Sequence, residues 1–195
     1  MTTFIADGAP DRAITRQEKE AHLRSFLDKL GYSPKRVLLL PPDHTRFYSE
    51  AGSITAYLYE VLAPVTDVVH VMPALGTHTP MNEDQIRAMF GPDIPLENFL
   101  DHDWRNDVKT VGVIPSEFVA EQSGGKVDYE IKVQINKAVT DGGYDLILSI
   151  GQVVPHEVAG MANYTKNVCI GVGGADMINR SHFLGAVADM EKLMG

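Results

Sequence analysis

Apolar and polar residues are arranged along the first half of this chain in an order typical of alternating strands and helices. Continuous apolar runs at 36–40 and 67–72 predict two buried strands. Apolar residues at helical spacing predict a first helix that ends at Leu30, and further helices at 53–63 and about 80–91. Such an alternation favours a parallel sheet covered by helices.

Side chains that can cap a helix mark the start of two of these elements. Thr15 and Glu18 have the spacing of a capping box, in which each side chain accepts a hydrogen bond from the other residue's backbone N–H. Thr79 is expected to cap the third helix, with Pro80 at its first position, where a missing N–H costs nothing.

The second half of the chain has a less regular pattern. Residues 91–104 are rich in Pro and Asp and are predicted to be irregular. Strands are predicted at 108–114, 126–135, 145–150 and 168–172, followed by a helix from Ala175 to Met194. The sequence thus predicts an α/β fold, a three-layer α/β/α sandwich with a mostly parallel sheet, in which residues 1–195 form a single domain.

Composition narrows the class of protein. The net charge is −9 and the pI about 5.2, which argues against a nucleic-acid partner because binding phosphates needs clustered Lys and Arg. No apolar stretch approaches the roughly 18 residues of a membrane span, so no membrane association is expected. The chain start lacks the pattern of a signal peptide. A single cysteine, Cys169, gives no sign of an oxidising compartment, and a cytoplasmic location is predicted.

Polar loops follow three of the predicted strands. The sequences DHTR at 43–46 and GTH at 76–78 come after the first two, and His156 follows the strand at 145–150. Any one of these loops is explained by capping side chains or a surface ion pair. In a parallel α/β sheet, however, ligands bind beyond the carboxyl ends of the strands. Three such loops, each with a histidine, therefore predict a common site and favour an enzyme.

The segment from Pro155 to His182 adds further candidate groups. Lys166 lies ten positions after His156, and His182 sixteen positions after Lys166, in a Gly-rich setting. Alone, Lys166 would be an ordinary solvated lysine, and His182 an ordinary helical histidine. The sequence GVGG at 171–174 is similar to a turn that binds phosphate at a helix N-terminus, but glycines alone are a weak signal.

Taken together, these motifs resemble the amino-terminal domain of the nickel-dependent lactate racemase family, the catalytic subunit that carries a nickel-pincer nucleotide. The resemblance rests on DHTR at 43–46, GTH at 76–78 and the spacing of His156, Lys166 and His182, and it covers the chain from about Arg36. It implies that Lys166 holds the nucleotide covalently through a thioamide and that His182 is the protein's ligand to nickel. Asp43 and Thr45 would contact this cofactor or orient its neighbours.

The resemblance also implies a reaction, the racemisation or epimerisation of a small 2-hydroxy acid. His78 and His156 would be the two acid/base histidines, and Arg46 would bind the substrate carboxylate. Two bases are needed because the substrate must be reached from either face, and the ordinary pKa of histidine, about 6.5, lies near working pH. Hydride would pass to and from the cofactor, since no side chain accepts it.

The chain departs from the family pattern at two places. Phe47 stands where the family often has Pro, and residues 162–165, Ala-Asn-Tyr-Thr, stand where it often has a Ser-Gly-Gly run before the lysine. The family also has a second domain, absent from this sequence, and accessory proteins that make the cofactor. This chain is therefore expected to be the amino-terminal part of a longer two-domain enzyme and to be inactive alone.

Two other functions are compatible with the same residues. In a zinc-dependent hydrolase, His44, His78, His156 and Asp43 would supply the ligands, because zinc accepts three protein ligands and an open position. In a non-catalytic phosphate- or nucleotide-binding module, GVGG and the DHTR loop would form the binding turn.

Overall fold

The computed structural model describes residues 4–156, 158 and 160–188. Its α-helices are α1 (Arg16–Asp28), α2 (Ala51–Leu62), α3 (Glu83–Phe90), α4 (Ser116–Ser123), α5 (Lys137–Asp141) and α6 (Ala175–Val187). Its strands are β1 (Arg36–Leu40), β2 (Val68–Val71), β3 (Val108–Ile114), β4 (Ile131–Asn136) and β5 (Leu146–Ser149). Short 3-10 helices lie at His44–Ser49 and Leu96–Asn98, and a π-helical turn lies at Asn167–Gly171.

A parallel sheet in the order β2-β1-β5 is the centre of the fold. Leu39 of β1 pairs with Val71 of β2 on one side, and Leu40 pairs with Ser149 of β5 on the other. All three strands point the same way, so their carboxyl ends meet at one edge of the sheet. The loops that follow these strands are thereby brought together.

Both faces of this sheet are covered, and β1 contributes to both. Val37 and Leu39 pack into a cluster with α1, α2 and α3, whereas Leu38 and Leu40 pack against α5 and the π-helical turn. All four side chains are fully buried, which explains why β1 is apolar throughout. The predicted α/β fold is confirmed, although the second face carries only short helical segments.

Strands β3 and β4 form a separate antiparallel pair, with α4 in the connection between them, and this pair does not join the parallel sheet. Strand β4 packs against α6, and α6 also contacts α4. The strand predicted at 126–135 is shorter than expected and begins at Ile131. The helix predicted to extend to Met194 is described as far as Val187, and residues 189–195 lie outside the described part of the chain.

One predicted helix start is confirmed and the other is wrong. Thr15 and Glu18 form the expected capping box of α1. Helix α3, however, does not begin after Thr79. It is capped by Asn82, whose side chain accepts from the backbone N–H of Gln85 while the Gln85 side chain accepts from that of Asn82. This reciprocal pair satisfies two N–H groups of the first turn, which Thr79 with Pro80 would leave open.

The strand predicted at 168–172 is also wrong, because this segment is a π-helical turn. The backbone N–H of Val172 donates to the carbonyl of Asn167, 2.9 Å away and five residues back. Val168 and Val172 are apolar because they pack over the second face of the sheet. A short apolar run does not by itself distinguish a strand from a buried helical turn.

Candidate functional site

A cleft of about 580 Å³ lies at the carboxyl ends of the parallel strands. Its lining includes every residue that the sequence predicts for the site: Asp43, Thr45, Arg46, His78, His156, Lys166 and His182. The loops after β1, β2 and β5 carry most of these residues, and His182 lies in the middle of α6. The predicted convergence of these side chains is therefore present in the structure.

Asp43 organises the first wall of the cleft. Its side chain is only 2% exposed and caps the 3-10 helix His44–Ser49 by accepting from the N–H and the hydroxyl of Thr45. The other carboxylate oxygen, Oδ2, lies 2.7 Å from Nδ1 of His78. A carboxylate oxygen accepts hydrogen bonds, so in this contact Nδ1 of His78 is the donor.

The His78 loop is positioned by backbone contacts to its neighbours. Ala74 continues the parallel pairing beside Pro42, and its N–H donates to the Pro41 carbonyl at 2.7 Å. Gly76 then turns the chain with a φ of 57°, a conformation that favours glycine. Its N–H donates to the carbonyl of Gly171 at 2.8 Å, which connects the loop to the π-helical turn.

His156 lies in a small hairpin that leaves the end of β5. Pro155 and Met161 form its antiparallel bridge, and the N–H of His156 donates to the carbonyl of Gly160 at 2.9 Å. The imidazole Nδ1 accepts from the N–H of Val158 at 3.1 Å. A backbone N–H can only donate, so in the neutral ring the hydrogen of His156 is on Nε2.

Lys166 lies between two structural asparagines. Asn163 and Tyr164 precede it with left-handed backbone, at φ values of 64° and 52°. Asn167 follows it and is buried, and its carboxamide donates to the carbonyls of Leu40 and Ile150 at 3.1 and 3.3 Å. The lysine-bearing turn is thus attached to the ends of β1 and β5.

His182 enters the cleft from α6. Its Nδ1 lies 2.7 Å from the carbonyl of Ile178, one turn earlier, and therefore donates to it. This contact leaves Nε2 as the nitrogen that can bind a metal. The ring centroid of His182 is 5.9 Å from that of His156, with the two planes nearly perpendicular.

His102, which the sequence suggests is structural or solvated, is a buried brace behind the site. Its Nε2 donates to the carbonyl of Gly173 at 2.9 Å, and its Nδ1 accepts from the carboxamide of Asn136 at 3.0 Å. Burial lowers the pKa of His102, although the bond to Gly173 acts in the opposite direction. The ring therefore fixes the turn that precedes α6 and His182. Nothing in the sequence around His102, which lies in an acidic loop, indicates this role.

The structure gives little support to a zinc centre. Within the described ranges, no group of three or more His, Cys, Asp or Glu side chains is arranged to hold a metal ion. Nε2 of His44 accepts from the Gln85 carboxamide at 3.1 Å, and His44 does not line the cleft. Asp43 is already bonded to Thr45 and His78.

The GVGG turn is not an open phosphate cradle. The N–H groups of Gly174 and Asp176 at the start of α6 donate to the backbone carbonyl and the side chain of Gln134, both at 3.0 Å. A helix N-terminus binds an anion through unsatisfied N–H groups, and two of those groups are already used.

These features define an α/β domain with a cleft at the carboxyl ends of its parallel strands, lined by three histidines, a lysine and an arginine. Ligands of parallel α/β sheets bind at this edge. The lactate racemase N-terminal domain family matches residues 9–195. The chain belongs to this family. No helix among the described residues is long and apolar enough to cross a membrane.

Individual relatives agree with the family match. The chain is 27% identical over 160 residues to a lactate racemase of Thermoanaerobacterium thermosaccharolyticum. The aligned region covers 80% of this chain and 34% of that protein. The structure of the lactate racemase apoprotein from the same organism superimposes with a TM-score of 0.57 at 25% identity, over 76% of this chain and 33% of that one. A Thermotoga maritima protein shares the fold, with a TM-score of 0.79 at 24% identity, over 93% of this chain and 44% of that one. This chain spans about a third of the length of the lactate racemase that it matches.

Proposed function

We propose that this chain is the cofactor-binding domain of a racemase or epimerase that acts on a small 2-hydroxy acid. The observation that carries the proposal is the composition of one cleft, in which two differently hydrogen-bonded imidazoles, His78 and His156, share the lining with Lys166 and His182. Family membership supports the reaction class.

The side chains of the cleft fit a nickel-pincer nucleotide. Lys166 would hold it covalently and His182 would bind the nickel through Nε2, because Nδ1 is engaged by the Ile178 carbonyl. Nickel accepts imidazole together with other N and S donors, so a single protein ligand suffices. The cleft volume of about 580 Å³ lies within the range of cofactor sites. Asp43 and Thr45 would fix the neighbouring loop. The chemistry that this group supplies is reversible acceptance of hydride, which no side chain offers.

His78 is the base for the substrate hydroxyl in this mechanism. Its Nδ1–H is held by the buried carboxylate of Asp43, so Nε2 is the acceptor that removes the hydroxyl proton. The carboxylate also stabilises the imidazolium that forms when the proton arrives. Once the carbon has also lost its hydride, the product is a planar 2-oxo acid, which can be reduced from either face.

His156 is the acid that protonates the oxygen of the 2-oxo acid as the other enantiomer forms. Its Nδ1 accepts from the N–H of Val158 in this structure, so this contact must loosen and Nδ1 must gain a proton before the resulting imidazolium donates its Nε2–H. When the reaction runs in the opposite direction, the two histidines exchange roles, and Nε2 of neutral His156, with its hydrogen on Nδ1, accepts the hydroxyl proton. Arg46 would hold the substrate carboxylate while the 2-oxo acid is exposed on both faces.

Further partners follow from the proposal. A second domain would close the cleft and add substrate contacts, and accessory proteins would make the cofactor. Without that domain, the 195-residue chain is expected to racemise no substrate. A cytoplasmic location stays a prediction.

The proposal is tested by co-expressing the chain with the accessory proteins that make the nucleotide. The peptide containing Lys166 should gain mass, and nickel should copurify at about one ion per chain. Lys166→Arg retains the positive charge but should abolish the mass gain. His182→Gln should retain the mass gain and lose most of the nickel. An unmodified Lys166 in the unsubstituted chain would overturn the proposal.

A further inference from the structure

Two consecutive residues before Lys166 have backbone conformations that L-amino acids rarely adopt. Asn163 and Tyr164 have φ values of 64° and 52°, in the left-handed region. Glycine reaches this region without cost, and Asn tolerates it better than most other residues. The chain adopts this turn although neither residue is glycine.

The side chain of Asn163 makes two hydrogen bonds that a glycine would lack. Its Oδ1 accepts from the hydroxyl of Ser149 at 2.7 Å, and its Nδ2 donates to the carbonyl of Gly151 at 2.7 Å. Both partners belong to the chain that leaves β5. Gly151 has a φ of 154°, and a Cβ there would contact the Asn163 carboxamide at 3.3 Å, so the two residues are also packed together.

These contacts close the base of the hairpin that carries His156. The chain leaves the sheet at Gly151 and returns at Asn163, and the carboxamide joins the two ends of this excursion. The backbone carbonyl of Asn163 also accepts from the N–H of Lys166 at 3.0 Å. Asn163 thus contacts both the base of the His156 hairpin and the turn that carries Lys166.

We propose that Asn163 is a positioning residue that holds His156 and Lys166 in a fixed relation to each other. Its carboxamide bonds Ser149 and Gly151, where the 151–162 excursion begins, and its backbone lies in the turn before Lys166. These side-chain bonds, the Asn163 tie, restrict a turn that a glycine would leave free to move. The roles of His156 and Lys166 rest on the proposed function, whereas the contacts of the Asn163 carboxamide with Ser149 and Gly151 do not. The class of effect is pre-organisation of the site before the cofactor arrives.

The first test measures amide hydrogen exchange in the 195-residue chain. Asn163→Gly keeps the left-handed backbone available and removes the two side-chain bonds, while it also makes the unfolded chain more flexible. Because each bond contributes on the order of a factor of five, exchange in residues 152–167 should become about tenfold faster or more. Ser149→Ala removes the hydroxyl that donates to Asn163 and leaves the bond to Gly151, so it should give an intermediate rate.

A control separates local positioning from general loss of stability. Ile86→Val removes one methylene from the core side of α3, at a residue that does not line the cleft, and should lower the melting temperature without a local change in exchange at 152–167. If Asn163→Gly exchanges at 152–167 no faster than the unsubstituted chain, the tie is wrong.

The second test measures cofactor loading. In co-expression, the fraction of Lys166 that gains mass should fall severalfold in Asn163→Gly and stay unchanged in Ile86→Val. Equal loading in the three chains, with faster local exchange in Asn163→Gly, would show that the tie does not position Lys166. If Lys166 gains no mass even in the unsubstituted chain, the proposed function fails, and the exchange experiment still decides whether the tie exists.

Discussion

The first wall of the cleft, residues 42–49 and 74–78, is held to the sheet by one buried carboxylate, whereas the second wall, residues 149–171, is held by the carboxamides of Asn163 and Asn167. In the first wall, short loops follow β1 and β2 directly, and Asp43 bonds the 3-10 helix and His78 within a few ångströms of the strand ends. In the second wall, the chain leaves β5 for twelve residues before it returns at Asn163.

This difference has a physical basis. A short loop after a strand has few conformations to lose, so a single capping residue fixes it. A longer excursion must be closed at its base, and here side-chain bonds to backbone carbonyls provide the closure. The first wall therefore places His78 through one carboxylate at the neighbouring strand end, whereas the second places His156 and Lys166 through carboxamides that close a longer excursion.

The largest expected effect comes from Asn167 in the second wall. Asn167→Ala would remove the carboxamide that donates to the carbonyls of Leu40 and Ile150, and both carbonyls lie at buried strand ends. The free energy of unfolding should fall by about 3 kcal/mol, because two buried hydrogen bonds are lost and the Ile150 carbonyl loses its donor. The Leu40 carbonyl keeps the N–H of Ile150.

Urea unfolding of Asn167→Ala measures this loss, and Asn106→Ala is the matched control. The Asn106 carboxamide donates to Asp103 at the protein surface, so its removal should change the unfolding free energy by less than about 0.5 kcal/mol. Equal effects of the two substitutions would mean that the second wall is not held through Asn167.

The next effect concerns the place where the two walls meet. A Cβ on Gly171 would lie 2.6 Å from the Cβ of Ala74, closer than two such atoms approach. Gly171→Ala should therefore destabilise the fold by about 2 kcal/mol through overpacking. Adding Ala74→Gly removes the opposing methyl group and should recover a large part of the loss, which a double-mutant cycle measures. Simple additivity of the two substitutions would show that the walls do not touch here.

A pH-dependent effect is expected from His102, which braces the turn after the second wall. Burial holds the pKa of His102 below its unfolded value of about 6.5, so the unfolded chain binds a proton more readily than the folded one. The stability from this residue is present above pH 6.5 and is lost as pH falls towards the folded-state pKa.

His102→Gln tests this sign because glutamine keeps one donor and one acceptor but does not titrate. The stability of the unsubstituted chain should decline more steeply below pH 6.5 than that of the variant, as measured by urea unfolding at a series of pH values. Parallel pH profiles would mean that His102 is not the titrating group.

The sequence predicts the first wall better than the second. Asp43, Arg46 and His78 follow apolar runs whose strand identity is clear, and the rule for parallel sheets then brings them to one edge. The spacing of Lys166 and His182 with His156 resembles that of the family and assigns both to the site, but it does not predict the π-helical turn that follows Lys166. The segment at 168–172 is apolar in either a strand or a buried turn.

Residues that act through distant contacts leave the weakest signals. Asn163 and Asn167 look like ordinary loop asparagines until Gly151, Leu40 and Ile150 are placed beside them. His102 similarly bonds Gly173, more than seventy positions along the chain. Local propensity contains no information on such pairs, because it reports only the preferences of neighbouring residues.

The smallest effect has the opposite sign and concerns the backbone of the second wall. Tyr164 is left-handed, which costs an L-residue about 1–2 kcal/mol, and its side chain is 54% exposed, so little burial offsets the strain. Tyr164→Gly removes the strain but makes the unfolded chain more flexible by about 0.5–1 kcal/mol. The net result should be a gain of roughly 0.5–1 kcal/mol in the free energy of unfolding. Tyr164→Ala keeps the strain and removes the ring, so it should not be stabilised. A gain in the alanine variant equal to that in the glycine variant would show that the ring, and not the backbone, is the source of the cost.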